Sequence, residues 1–519
     1  MNAILSRRLP VKMVFEPGKA ALTSNHSIAS GCRVLAAPLA ANGIEHRSSY
    51  DEAILALNQL QTNSVTLKES IGRTHSTQST HVKETQRYLE KIGVTLEGLD
   101  ELSVIHVAGT KGKGSTCALV ESILRSLGVR TGFYSSPHLI NVTERIRLEG
   151  EPISKTLFSQ YFWIIYSTLK ETKENDHDMP PYFKFLTIMA YYIFLKEKVD
   201  VAIVEVGIGG EFDCTNVLRN TKTVGITSLG LEHTQLLGTS YREIAWQKSG
   251  IIKYGSSVFS TYQNDECIPT LLERAREKNA NLKFIPDFTA YKNKCHNEKV
   301  FAEIASHPTK LRNASLAIEL SYDWIRKNPQ KVKRKSIYNK LNSSVDGLHL
   351  PIEITNALAN CYWPGRCQTL HQRNMTLYID GAHTIDSLHL CIDWFINKTQ
   401  LSTEKKFLLF NITGGRNAND MLDVINAKTK FYRAIFTPNV STLCSRAARD
   451  NMYTFAQPNH SKQNAEYWSS LTSYNKSQDF PCISDVFKYL EENYGGEEIS
   501  ILVTGSLHLV GEVLRTLRD

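Results

Sequence analysis

The chain has 519 residues, 42% of them apolar and 22% charged, with a net charge of +8. That length supports two or three domains and a large core, while so modest a positive balance suits anionic small substrates as well as nucleic acid and decides nothing. No apolar run approaches the ~18–20 residues of a membrane span, and the ten scattered cysteines form no CxxC pair, which argues against a disulfide framework or structural zinc site and for a reducing compartment.

From Met1 to Ile44 the only acid is Glu16, against Arg7, Arg8, Lys12, Lys19 and Arg33. An arginine-bearing, serine-rich, acid-poor leader reads as a mitochondrial transit peptide, with a disordered tail as the alternative. Folded structure is expected from near Tyr50, where Ala53, Leu55, Leu57 and Leu60 open an apolar helical run. A polar stretch of helical character, Ile71 to Leu99, leads into the segment that organises the chain. There Val104-Ile105-His106-Val107-Ala108 runs into Gly109-Thr110-Lys111-Gly112-Lys113-Gly114-Ser115, and Thr116 to Leu124 continues with apolar residues at helical spacing. Strand, glycine turn, helix is the context in which such a loop binds phosphate. Its backbone N–H groups and the helix N-terminus favour anionic oxygens, Lys113 can reach the outer phosphates and Ser115 can offer a hydroxyl to magnesium. Gly114, inserted between lysine and serine, departs from the general Walker pattern.

Arg130 to Tyr134 reads as the next strand, ending in Ser135-Ser136-Pro137-His138-Leu139, followed by Asn141 to Arg147 with alternating charge. A serine at that strand end is placed to touch metal or phosphate, although such a tetrapeptide is also an ordinary turn. Helical runs at Leu157–Leu169 and Tyr182–Lys196 carry core aromatics. Val199 to Val206 is a β-branched strand ending at Glu205, and a carboxylate buried there calls for a cation, for which magnesium is the natural candidate. Thr223 to Ser228 is a further strand, followed by Glu232-His233-Thr234 and a helix bearing Gln247-Lys248. Val258–Ser260 and Leu282–Ile285 read as strands, Pro269–Lys278 and Leu311–Arg326 as helices, and the lysine-rich stretch Asn328–Ser344 as a connection. The last third repeats the alternation: strands at Thr376–Asp380, Phe407–Phe410, Ala434–Phe436 and Ile501–Val503, a Gly505-Ser506 turn, and no GxGxxG to suggest a dinucleotide.

Seven segments occur in one order: Gly109–Ser115, Ser135–Leu139, Glu205–Gly210, His233-Thr234, Gln247-Lys248, Trp363-Pro364-Gly365-Arg366 and Asp380-Gly381-Ala382-His383. In this the chain resembles the folylpolyglutamate synthases of the Mur-ligase superfamily, most closely the animal type, from about Tyr50 to Asp519. The resemblance implies an α/β protein with an N-terminal P-loop ATPase domain on a mainly parallel sheet and a smaller C-terminal Rossmann-like α/β domain. Its expected division is leader 1–47, ATP-binding domain 48–327, linker 328–358 and glutamate-ligase domain 359–519. It further implies an ATP-dependent ligase that adds L-glutamate through γ-carboxyl amide bonds to folates by way of an acyl phosphate. The implied ATP contacts are Gly112, Lys113, Gly114, Ser115, Asn313, Arg366 and Asp380, and the implied metal ligands are Ser115, Ser136, Glu205 and His233. Lys113, Lys248 (as a carbamate in relatives) and His383 take the catalytic positions, and Asp213 and Cys214 the folate side.

Two departures stand out: Glu232 replaces the aspartate of many relatives, and Thr309-Lys310 replaces a His-Gln pair upstream of Asn313. ATP and Mg2+ are the implied cofactors, with a monovalent cation as a further candidate. The implied partners are small molecules, with no nucleic acid and no membrane span, in a monomer of the mitochondrial matrix and cytoplasm. The alternatives are a related ligase acting on another carboxylate, such as dihydropteroate, and a nucleotide-binding module without chemistry.

Overall fold

The computed structural model describes residues 49–61, 80–294, 304, 308–343, 350–413, 417–442, 450, 458–474 and 476–518, so the leader expected over 1–47 lies outside the described residues. Two sheets organise the rest. The first contains β1 (Val104–Ala108), β2 (Thr131–Tyr134), β3 (Ile146–Leu148), β4 (Glu151–Pro152), β5 (Val201–Glu205), β6 (Thr223–Ile226), β7 (Ser257–Ser260) and β8 (Asn281–Phe284), in the order β4-β3-β2-β5-β1-β6-β7-β8. From β2 to β8 all neighbours are parallel, and only the β2–β3 and β3–β4 pairs at one edge are antiparallel. The second contains β9 (Gln368–Gln372), β10 (Met375–Ile379), β11 (Lys405–Phe410), β12 (Arg433–Phe436), β13 (Ser477–Asp479) and β14 (Ile499–Thr504), in the order β13-β12-β11-β14-β10-β9, parallel except for the β9–β10 hairpin.

Strands β1 and β5 are buried at every position, as expected of parallel strands covered on both faces. On one face the helices Lys113–Ser126, Pro308–Lys327 and Ile352–Ala359 build a core around Ile123, Leu320 and Trp324. On the other, Tyr50–Gln59, Lys155–Glu171 and Tyr182–Lys196 build a second around Phe158, Phe162 and Phe185. The helix Tyr182–Lys196 is apolar nearly all round, and eleven of its residues are buried, which is why it forms the inner wall. The second sheet is likewise sandwiched, by Ile385–Thr399, Ala418–Lys428 and Pro458–Leu471 on one face and by Ile483–Tyr494 and Leu507–Thr516 on the other.

The stretch 328–358, expected as a linker, carries the helix Lys335–Ser343 and the start of Ile352–Ala359. Its Val332, Ile337, Leu350, Ile354 and Leu358 are buried in the first sheet's core, and Ser122 Oγ donates to the Ala357 carbonyl at 2.7 Å. Register decides where chemistry can sit. Val107 pairs with Glu205 and Ala108 with Ile226, so the loops after β1, β5 and β6 leave the sheet side by side at its C-terminal edge. Among the described residues no helix is long and apolar enough to cross a membrane.

Candidate active site

The loop after β1 is shaped by its glycines. Gly109 has φ +150°, and a Cβ there would stand 1.8 Å from Thr227 Oγ1; Gly112 has φ +88°, and a Cβ there would stand 2.3 Å from Asn313 Oδ1. Only glycine fits positions that combine this backbone with such close neighbours. Thr110 N and Lys111 N both donate to the Ser228 carbonyl, at 2.9 and 3.2 Å, tying the loop to the end of β6. Gly112 caps the helix Lys113–Ser126 without a side-chain hydrogen bond, which leaves the first-turn N–H groups for a ligand.

Glu205, at the end of β5, is 5% exposed. It takes a hydrogen bond from Ser136 N at 3.1 Å and has no ion-pair partner among the described residues. Burial raises its pKa, against the pull of Lys113 and of the Ser136 amide. Lys248 is 3% exposed and lies behind the loop, donating from Nζ to the Gly109 carbonyl at 2.8 Å. Burial first, and the Lys113 charge second, push it down to about 7. His233, in a left-handed conformation with φ 54°, caps the short helix Thr234–Leu237 at the mouth of the same cleft.

A continuous cleft of about 2210 Å³ runs between the two sheets. Gly112, Lys113, Gly114, Ser115, Ser136, Glu205, His233 and Asn313 line it from the first half, and Arg366, Asp380 and His383 from the second. Trp363 closes over the phosphate loop, with its Cζ2 3.1 Å from where a Gly114 Cβ would stand. Asp380 Oδ2 accepts from Cys367 N at 2.8 Å and from Cys367 Sγ at 3.4 Å, and Gly381 N donates to the Gly365 carbonyl at 3.1 Å. The turn that presents Arg366 is thus braced against the end of β10.

Asp213 and Cys214 line the cleft too, but the Asp213 carboxylate is engaged by its own loop. It accepts from Thr215 N (2.9 Å), Thr215 Oγ1 (2.6 Å) and Ile208 N (3.0 Å), so it shapes the wall more than it offers a free acceptor. Burial pushes the Cys214 thiol up to about 12, which keeps it protonated and unreactive.

Three residues outside the expected set join the halves. Lys111 Nζ reaches Thr384 Oγ1 at 3.0 Å and Glu232 Oε1 at 3.5 Å, and Glu232 Oε1 lies 3.5 Å from His383 Nε2. Burial works to raise the Glu232 pKa, but the His383 hydrogen bond and the Lys111 and His233 charges outweigh it and hold the carboxylate well below its usual range. Lys111 and Glu232 sit inside motifs already singled out, yet nothing local marks a partner on the opposite half.

A family model described as "Dihydrofolate synthetase, C-terminal domain" matches residues 365–516. The mitochondrial folylpolyglutamate synthase of Cricetulus griseus is 35% identical, over 90% of this chain and 92% of its own length. A putative folylpolyglutamate synthase of Caenorhabditis elegans is 36% identical over the same shares. A solved FPGS–AMPPCP–folate complex shares the fold with a TM-score of 0.64 at 19% identity, covering 91% of this chain and all of its own.

Proposed function

The chain belongs to the folylpolyglutamate synthase family, and on that premise we propose the work of each group in its cleft. The reaction is ATP-dependent addition of L-glutamate to a folate. The γ-carboxylate of the folate attacks the γ-phosphorus of ATP, ADP leaves, and the acyl phosphate is opened by the α-amine of glutamate to give the γ-linked amide and phosphate. The observation that carries this reading is the convergence of the uncapped loop helix, Lys113 and buried Glu205 with Arg366, Asp380 and His383 across one cleft. Phosphoryl transfer asks for such positioning and charge neutralisation rather than covalent help.

Lys113 and the loop amides hold the outer phosphates, with Asn313 fixed against Gly112 beside them. Arg366 and Asp380 approach the nucleotide from the other half, and His383 stands toward the reacting phosphates, oriented by Glu232. Among the described residues no three His, Cys, Asp or Glu side chains gather into a metal cage. That fits magnesium, which is held through one or two carboxylates and the substrate's phosphates. Ser115, Ser136 and Glu205, with His233 close by, would hold it, and it would supply charge neutralisation at the phosphates. Lys248, with its depressed pKa, is suited to carry a carbamate.

The name of the family model at 365–516 favours one second reading, dihydropteroate as acceptor. ADP release with tetrahydrofolate and with dihydropteroate, each with and without L-glutamate, and with products weighed by mass spectrometry, separates the two. Glutamate-dependent ADP release and a mass ladder on tetrahydrofolate are expected, and release on dihydropteroate alone would overturn the reading. Relatives named as mitochondrial and the basic leader support import into the matrix, and a start at Met13, which would remove Arg7, Arg8 and Lys12, would give a form that stays in the cytosol. Fluorescent fusions of the first fifty residues begun at each methionine test both.

A further inference from the structure

Several cations on the cleft walls already have carboxylate partners. Arg87 holds Asp178, Lys184 holds Glu84, Arg147 holds Glu121 and Lys111 faces Glu232. Arg145 differs. It lines the cleft, half-buried, and among the described residues no carboxylate lies within ion-pair distance of it. Its Nε donates to His138 Nδ1 at 2.8 Å, the Tyr182 ring lies 5.3 Å from its guanidinium carbon, and neither Nη makes a hydrogen bond among the described residues. The adjacent Glu144 is spent on backbone, accepting from Leu139 N, Ile140 N and Asn141 N at 2.8, 3.1 and 2.9 Å. A guanidinium fixed on one edge and over one face, with its two-pronged end open, is built for a planar anion such as a carboxylate.

Its position says which carboxylate. Its charge reaches Glu205, where it joins Lys113 in opposing the effect of burial. The cleft also carries an apolar wall of Tyr166, Met179, Pro181 and Phe183, the last two flanking the Tyr182 that meets Arg145, with Phe183 against Tyr134 at 6.0 Å between ring centres. An acceptor with its ring system on that wall and its γ-carboxylate at Lys113 carries a second anion between the two, the α-carboxylate of its terminal glutamyl group. We propose that Arg145 binds this α-carboxylate, with His138 and Tyr182 setting its direction. The assignment rests on the folate-ligase reading. A γ-linked chain keeps a free α-carboxylate on its last residue at every length, so Arg145 serves each round of elongation alike.

The test compares tetrahydropteroylmonoglutamate with its α-carboxamide, whose γ-carboxylate is still free, using the full chain, ADP release and product mass. The unaltered protein is expected to prefer the acid by about 10- to 100-fold in kcat/KM, the worth of a charge-assisted contact. Arg145→Gln should lose that factor on the acid, mainly in KM, and treat both acceptors alike, while Arg145→Lys recovers part of the preference. AMPPCP titration should give the same affinity in all three proteins, which reports an intact fold. An unaltered protein indifferent to the amide, or an Arg145→Gln protein that keeps the preference, overturns the assignment. If the unaltered protein releases no ADP with any folate, the ligase reading falls and takes this assignment with it.

Discussion

The two halves of the cleft contribute in different ways. In the first, Glu205 ends a parallel strand, Ser136 stands just past another, His233 lies in the loop after β6, and the phosphate loop is clamped between Thr227, Ser228 and Asn313. Glu205 and Lys248 are buried there, and Lys113 is half-buried at the helix start. In the second, Arg366 stands on a turn held through Gly365, Cys367 and Asp380, and His383 precedes a helix capped by Thr384. These come to the shared cleft only through the docking of one half on the other. That docking rests on the Lys111–Thr384 and Glu232–His383 contacts, on Leu139 and Ile140 seated in the second core, and on Arg515 Nη2 donating to the Ile140 carbonyl at 2.8 Å. Under the roles proposed above, the difference teaches that nucleotide grip is a property of one fold, whereas completion of the reacting site is a property of closure.

The largest expected effects test the grip. Lys113→Ala should lower turnover by about 10²–10³-fold, as removal of a group that stabilises developing charge does, with circular dichroism unchanged. Near-normal ADP formation by the folded variant would remove Lys113 from the reaction.

Lys248→Ala should be inactive and regain part of its turnover with formate or acetate, which can stand in for a carbamate. With the ammonium pushed down to about 7, the neutral amine that attacks carbon dioxide is populated above that pH and lost below it. Activity should therefore fall as pH drops through about 7, and added bicarbonate should help at pH 8 and fail at pH 6. The small-acid-rescued variant should be insensitive to bicarbonate. Full activity of Lys248→Ala without an added acid would end the carbamate assignment.

A smaller effect is expected at the joint. Glu232→Asp shortens the reach to His383 by one methylene, and the present distance, 3.5 Å, leaves no slack. Turnover should fall about 10-fold, consistent with one lost charge-assisted contact, with little change in AMPPCP affinity, because the loop is untouched. A parallel loss of nucleotide affinity would place Glu232 with the grip instead of the closure.

How much of this was legible in the sequence follows from what each element needs. Strands β1, β5 and β6 are runs buried on both faces, and such runs announce themselves. Strands β3, β4, β9 and β13 went unread, being two to five residues long, at or next to sheet edges and partly exposed. The apolar residues of 328–358 are thinly spaced among lysines, so their place in the core shows only when the partner helix is present. Within the site, the motif residues that line the cleft stood out as a glycine loop and strand-end segments. The Lys111–Thr384 contact spans 273 positions, and the value of Arg145 lies in which acids fail to reach it. Neither leaves a local pattern.

The smallest prediction concerns a joint remote from the phosphates. Tyr50 donates to Asp450 Oδ1 at 2.5 Å, and Val142 N donates to the same oxygen at 2.9 Å, so one carboxylate of the second half receives two segments of the first. Burial and the Asp450 charge push the Tyr50 phenol far above its usual range, which keeps it a donor. Its ring meets Phe158 edge-on at 5.7 Å and lies under Lys155 Nζ at 4.9 Å, contacts that phenylalanine can also make. Tyr50→Phe therefore removes the hydroxyl alone and should cost about 1.5–3 kcal/mol, the value of a hydrogen bond to a charged group. The loss is to be read from the urea midpoint, together with faster amide exchange in Tyr50–Gln59 and an unchanged kcat. If exchange in that helix stays as slow as before, Asp450 is held by Val142 and the helix by its apolar face, and the joint between the halves is narrower than these two bonds suggest.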